Sequence, residues 1–222
     1  RMAAIAACAL SLSAPAVQAF DLTTMSAADR EAFGAAVRSY LLENPEVILE
    51  AVDVLEQQQV SAEAARDTAL VAASLSELQN DGYSWVGGNP EGDITLVEFM
   101  DYRCGYCRRA APEIEALLAS DSNLRLVVKE FPILGEASVL TSRFAIATRL
   151  EAGDAAYKQV HDTLIAFTAE PNEVALRRMA EGLSLDAEAI LARMDDPEVT
   201  EQLQRTRALA QQLSISGTPT FV

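Results

Sequence analysis

The stretch from Ile94 to Phe131 constrains the fold more than any other part of the chain. "ITLVEF" (Ile94 to Phe99) is a mostly apolar run of strand formers bounded by turn residues. Cys104 and Cys107 follow with two residues between them, and Ala110 to Ala119 then continues at helical period. "LRLVVKEF" (Leu124 to Phe131) reads as a second strand, ended by Pro132 and Gly135. Strand, cysteine pair, helix, strand is a βαβ unit, which implies parallel pairing through a right-handed crossover.

The flanks are helical in pattern. Ser26-Ala27-Ala28-Asp29 forms a capping box, and Phe33, Val37, Tyr40 and Leu41 follow at helical spacing. Asn44-Pro45 reads as an N-cap with proline at the first helical position, opening a helix that runs to about Gln79. Ile48, Val52 and Leu55 make an apolar stripe, but its register continues through Gln59, Ala62, Arg66 and Ala69. That seam is too weak to hold a solitary helix by packing. Residues 20–80 are therefore expected to be a helical arm, either a solvated helix or a homo-oligomerisation region within 26–80. Residues 81–93, "DGYSWVGGNPEGD", carry four glycines and a proline and are expected to be a linker. From about 138 to 213 the pattern is one of consecutive helices, broken near Gly153-Asp154, Glu170 to Asn172, Gly182 to Asp186 and Asp196-Pro197. Ile215 to Val222 then turns into a third strand, and no internal repeat is visible.

Residues 1–19 read as a signal peptide. Ala3 to Ala14 is an uncharged apolar run, too short to span a bilayer comfortably, and it ends in the small-x-small pattern Val17-Gln18-Ala19. A rival reading makes Ile5-Ala6-Ala7-Cys8 a lipoprotein box with Cys8 acylated. Export to the periplasm is the expectation in either case, with no membrane insertion after signal cleavage. The formal net charge is −16; the 17 basic residues less Arg1 leave 16 against 33 acidic ones, a net of −17 for the exported chain. Such a chain repels nucleic acid and anionic lipid, which excludes both as partners.

Export leaves Cys104 and Cys107 as the only cysteines. A pair this close closes a tiny loop and removes little entropy from the unfolded chain, so a structural staple is a poor reading. Zinc needs four ligands, and the single histidine, His161, sits far away as an ordinary surface or packing residue. A two-coordinate Cu(I) site on Cys104 and Cys107 needs only the pair and stays open. The third reading is redox exchange. A cysteine at a helix start faces unpaired N–H groups and the positive end of the helix dipole, which favour the thiolate. Cys104 is thus the expected nucleophile, and Cys107, one turn inside, the resolving thiol, with Gly105 and Tyr106 tuning the potential. The redox-active disulfide Cys104-Cys107 would itself be the reagent, with no further cofactor.

"CGYC" at a strand–helix junction, Pro112 five residues later and "GTPTFV" near the end together resemble a thioredoxin fold. The 112 positions that separate Cys107 from Pro219 leave room for a helical insertion, the mark of the DsbA-like thiol:disulfide oxidoreductases. "YLLENPEVILEAVDVLE", "GNPEGDITLVEFMDYRCGYCRRAAPEIEALL" and "LRLVVKEFPILGEAS" resemble the exported branch that contains suppressor-of-copper-sensitivity protein C. The resemblance implies an α/β thioredoxin-like fold over 94–222, with a helical insertion between the CxxC helix and the cis-proline strand, plus an N-terminal helical extension. It implies a cis proline at Pro219, preceded by Thr218, that holds an extended substrate beside the cysteines. It implies protein substrates with cysteines and a membrane redox partner of the DsbB or DsbD type. Oxidase and isomerase directions both stand, the first expected of a monomer and the second of an oligomer. It also points to Glu98 as a buried acid that relays the proton of Cys107; the other readings of Glu98 are a solvent-facing side chain or a partner of Lys129. Arg103, Arg108 and Arg109 stand ready to stabilise the thiolate or to lie in solvent. The family continues past the cis proline with a strand and a closing helix, so this chain is expected to be shortened at its C-terminus.

Overall fold

The computed structural model describes residues 25–222; the expected signal segment and Cys8 lie outside the described residues. The chain divides into two units, Arg1–Ser61 and Ala62–Val222.

The first unit holds α1 (Ala27–Glu43) and the beginning of α2 (Glu46–Ala73). Ser26 caps α1: its hydroxyl accepts from the Asp29 N–H at 3.2 Å and donates to the Asp29 carboxylate at 2.6 Å. That satisfies a first-turn donor with no partner inside the helix. Asn44 differs from its expected role. Its side-chain amide donates to the Tyr40 carbonyl at 2.9 Å, so it closes α1 instead of opening α2. The reason is that the last carbonyls of α1 have no partner inside the helix, and the Asn44 amide is within reach of one of them. Neither helix buries a side chain, and Phe33, Tyr40, Leu42, Leu49, Leu55 and Val60 are exposed.

In the second unit the helical stretch expected to reach Gln79 breaks at Ser74, and α3 (Leu75–Gln79) follows. Leu78 is buried against the sheet with Val97, Phe99 and Val127, so the end of the expected arm belongs to this unit's core. The expected linker 81–93 is also corrected, because it contains a strand. The strands are β1 (Trp85–Gly88), β2 (Ile94–Met100), β3 (Leu124–Glu130) and β4 (Thr220–Phe221), in the sheet order β1-β3-β2-β4. Glycine there permits close approach, where its composition suggested loop. A Cβ on Gly87 would fall 2.2 Å from the Trp85 ring, and one on Gly88 (φ +69°) 2.5 Å from the Leu124 carbonyl oxygen.

β2 and β3 run parallel from Ile94↔Leu124 to Met100↔Glu130, and β1 and β4 flank them antiparallel. α4 (Gly105–Ser120) makes the crossover from β2 to β3. Between β3 and β4 lie α5 (Glu136–Ala166), broken at Gly153 (φ 85°), then α6 (Glu173–Gly182), α7 (Ala187–Arg193) and α8 (Pro197–Gln212). Asn172, Asp186 and Asp196 cap the last three through their side chains. This is the thioredoxin-like α/β arrangement with a helical insertion that the resemblance implied.

The sheet carries a core on each face. Val97, Phe99, Val127, Phe131, Leu209 and Ala210 cluster on one side. Met100, Leu126, Val128 and Ile114 pack with Phe144, Val160 and Leu164 of the inserted helix on the other. Because side chains alternate along a strand, Glu98 points into the second core while Lys129 points into the first.

Candidate active site

The loop between β2 and α4 is braced by Asp101, a fully buried carboxylate. It accepts from the backbone N–H groups of Arg103 and Ile133 at 2.8 Å and of Leu134 at 3.1 Å. The Cys104 N–H bonds the Asp101 carbonyl at 3.0 Å, and Arg108 N–H bonds the Cys104 carbonyl at 3.2 Å. Cys104 is thereby held in extended backbone (φ −75°, ψ 118°) as the N-cap of α4. Its Sγ lies 3.1 Å from the carbonyl oxygen of Thr218, 114 positions away in sequence. The Thr218–Pro219 peptide is cis. Gly105 opens α4 with free space around it, and Tyr106 is exposed under the guanidinium of Arg109, 4.2 Å from the ring centre.

The two thiols, both free, differ in chemistry. Burial opposes ionisation of Cys104, yet hydrogen bonds from the Thr218 side chain, from the N–H groups of Cys107 and Tyr106 and from the Cys107 thiol outweigh it. The Cys104 thiol is therefore held below its ordinary value, as the N-terminus of a helix dictates. Burial pushes the Cys107 thiol up to about 12. The flanking arginines are engaged elsewhere. Arg103 donates to the Ala169 carbonyl at 2.8 Å and pairs with Glu170; Arg108 donates to the carbonyls of Tyr102 at 3.0 Å and Phe167 at 3.1 Å. They tie the cysteine loop to the connection between α5 and α6.

Behind Cys107 a cavity of about 280 Å³ lies between α4 and α5, lined by Cys107, Glu98, Pro112, Trp85 and His161 among others. Glu98 is only 5% exposed, and burial, followed by repulsion from Glu130, pushes its carboxyl up to about 7. It does not pair with Lys129, which is opposite Phe99 in the ladder and emerges on the other face. There Lys129 forms a buried ion pair with Asp81 and donates to the Glu77 carbonyl at 2.6 Å. His161 stacks with Trp85 and Tyr157 at centroid distances of 6.4 and 5.8 Å, and meets Tyr102 edge-on at 5.5 Å. It is a wall of the cavity more than a surface residue. Among the described residues no cluster of three or more His, Cys, Asp or Glu is placed to hold a metal.

Asp101, Tyr102, Glu130 and Tyr157 belong to no motif of the sequence. One signal was available: Lys129-Glu130 ends an apolar strand, and two consecutive charges in a strand covered on both faces must bury one on each.

A CxxC thiol at a helix N-terminus, set against a cis-proline loop on a thioredoxin-like sheet, defines a class of protein. The chain belongs to the DSBA-like thioredoxin domain family, which matches residues 95–222 and is a family of thiol:disulfide oxidoreductases. Residues 29–62 match a second family, the copper resistance protein ScsC N-terminal domain. Among solved structures, a thioredoxin-like oxidoreductase from Silicibacter pomeroyi DSS-3 is 44% identical; the match covers 66% of this chain and 83% of that one, with a TM-score of 0.62. BcfH from Salmonella enterica Typhimurium is 29% identical over 88% of this chain and 83% of its own, with a TM-score of 0.71. Among curated relatives, the Na(+)/H(+) antiporter NhaA 3 of Salinispora tropica is 32% identical over 136 residues. That match spans 61% of this chain but 21% of the antiporter. No helix of the described residues is long and apolar enough to cross a membrane.

Proposed function

We propose that this chain is an exported, periplasmic protein thiol:disulfide oxidoreductase in which Cys104 is the nucleophile and Cys107 the resolving thiol. The observation that carries the reading is the seat of Cys104: its Sγ sits at the start of α4 and 3.1 Å from the Thr218 carbonyl. The helix N-terminus stabilises the thiolate, and the backbone of Thr218, beside Pro219, pairs with an extended substrate and presents its sulfur to Cys104. Cys104 attacks a substrate disulfide and forms a mixed disulfide. Cys107, once deprotonated, attacks the Cys104 sulfur, the bond to the substrate breaks, and the substrate leaves as a thiolate. The cysteine pair is then oxidised and the substrate reduced; the reverse sequence oxidises a substrate dithiol. The chemistry runs on the pair itself, and the partners are cysteine-containing exported proteins and a membrane protein that resets the pair.

Cys104→Ser tests the reading: insulin reduction and refolding of scrambled ribonuclease should both fall to background. Activity equal to the parent protein's would overturn it. Copper titration of the reduced protein tests the competing role, in which the pair holds Cu(I) without turnover.

The exposed apolar side chains from Phe33 to Val60 support a second step of the reading, in the isomerase direction. So many large apolar side chains left exposed along two helices fit an interaction site. Self-association through these helices would bring several cysteine pairs into one particle. Particle size measured with and without residues 26–61 tests this: a monomer in both cases removes it and leaves a monomeric oxidase.

A further inference from the structure

One cluster of buried groups takes no direct part in the thiol exchange, and the role inferred for it rests on that redox reading. Glu130, at the end of β3, is 6% exposed, and no cation among the described residues pairs with it. The hydroxyls of Tyr102 and Tyr157 donate to the same oxygen, Oε1, at 2.7 and 2.6 Å, while Oε2 makes no bond of ordinary geometry among the described residues and the Ser142 hydroxyl lies near enough to favour the carboxylate. Tyr102 lies two residues before Cys104, and its oxygen also meets Nδ1 of His161 at 3.1 Å.

The chemistry of these atoms fixes the direction of each bond. A phenol has one hydrogen, and Tyr102 gives it to Glu130. Its oxygen must therefore accept from His161, so Nδ1 carries the imidazole hydrogen. Nε2 is left as an acceptor with no protein partner among the described residues, on a ring that lines the cavity shared with Cys107 and Glu98. The cavity has ample room for water.

We propose that His161, Tyr102 and Glu130 form a proton wire from the Cys107 cavity to an internal carboxylate, which stores the proton that Cys107 gives up when it attacks the mixed disulfide. The Cys107 S–H bond breaks, and its proton crosses the cavity by way of Glu98 or water to Nε2 of His161. His161 passes its Nδ1 hydrogen to the Tyr102 oxygen as Tyr102 passes its own to Oε1 of Glu130. Glu130 becomes a neutral acid, and Cys107 a thiolate able to form the Cys104–Cys107 bond. No oxidant or reductant beyond the mixed disulfide is needed, and reversal of the path returns the proton.

The charges around the path fit a store. Glu130 faces Glu98 of β2 and Asp101 of the loop after it, both acidic, besides the two phenols, and it shares a small cavity with Arg149, whose guanidinium is paired with Asp154. Burial pushes its carboxyl up to about 7 against the lowering by those phenols and Ser142, which places proton uptake near neutral pH. His161 faces Asp162 and Lys158 on its own helix and Arg108 and Glu115 on α4, and burial lowers it to about 4. The imidazole is therefore neutral, able to accept at one nitrogen while donating at the other. These residues touch no substrate; they position and hold a proton.

The test uses the full chain with Cys104 capped by thionitrobenzoate, because release of the coloured thiolate reports the attack of Cys107. Tyr102→Phe and Glu130→Gln should each slow release roughly tenfold near neutral pH, less than the effect of a group in contact with the reacting atoms. Both should also steepen the pH dependence, since the proton must then leave to solvent. The double variant should be no slower than either single one, as for two links of one path. Tyr157→Phe removes an equal bond to the same oxygen but leaves the path whole, and should stay within about twofold of the parent. Should Tyr102→Phe not fold, His161→Gln breaks the first link and should give the same slowing. Overlapping pH profiles of Glu130→Gln and the parent would overturn the wire. So would Tyr157→Phe slowing release as much as Tyr102→Phe, or single effects that multiply in the double variant. Absence of any Cys107-dependent release in the parent would instead sink the oxidoreductase reading, and the wire with it.

Discussion

Lys129 and Glu130 are neighbours in β3 and meet opposite surroundings. Lys129 enters the face that holds Phe99 and Val127, where Asp81 and the Glu77 carbonyl satisfy it. Glu130 enters the face that holds Cys107 and Glu98, where it finds two phenols, two acidic neighbours and, among the described residues, no cation paired with it. Burial alone therefore does not mark a functional charge. A buried charge with its partner braces a structure, whereas a buried acid without a cation is a group poised to change its proton.

That contrast can be broken most directly at Lys129. Lys129→Met leaves Asp81 buried without its cation, and chemical denaturation at pH 7 should show a loss of about 3–5 kcal/mol. The sign follows from Asp81: burial raises its carboxyl, but Lys129 and Ser84 outweigh burial and hold it below 3.8. The stability it brings is complete above the unfolded value and lost as pH falls through the lowered one. The gap between Lys129→Met and the parent should accordingly narrow below pH 3.8, while the pH profile of Cys104 alkylation stays unchanged. A loss below about 1 kcal/mol would place this ion pair with exposed ones and remove the contrast.

Glu98→Gln should act in the opposite direction. The Glu98 carboxyl moves from 4.5 when unfolded to about 7 when folded. Below the first value it is neutral in both states; as pH rises through the second, the unfolded state gains by ionising first, and the folded state loses stability. Glutamine escapes that loss. The variant should be more stable than the parent by about 2 kcal/mol above neutral pH, and equal to it at pH 4, with part of the shift shared with Glu130. Thermal unfolding across that range checks it, and a variant less stable than the parent at every pH would contradict the assignment of Glu98 as an unpaired buried acid.

The smallest effect belongs to the cavity mouth. Lys158 pairs there with Glu115 at 3.1 Å and Asp162 at 2.6 Å, the two carboxylates exposed and the lysine partly so. Lys158→Met should change stability by less than about 0.5 kcal/mol, since water already solvates these charges. A larger loss would extend the contrast from buried to exposed pairs.

Much of this molecule is written in short-range pattern. The βαβ unit, the breaks of the inserted helices and the Ser26 cap depend on period, proline and capping chemistry, all of which act within a few residues. The CxxC thiols were legible for the same reason, because a helix begins beside them. The strand Trp85–Gly88 was not, because its glycines serve contacts with Trp85 and Leu124 that composition does not express. Glu98 was legible as a candidate, but its neighbours were not, since Glu130 reaches Tyr102 and Tyr157 only across 28 and 27 positions of chain.

The sequence by itself determined a cysteine at a helix start, a Thr-Pro element far downstream and the helices between them, because backbone preferences are local. Tertiary structure alone decided that Thr218 meets Cys104, that Asp101 braces the loop between them, and that Lys129 and Glu130 part to opposite cores. Sheet register and packing set those meetings. A strand's period of two determines only that neighbours diverge; what waits on each side is decided by the rest of the fold.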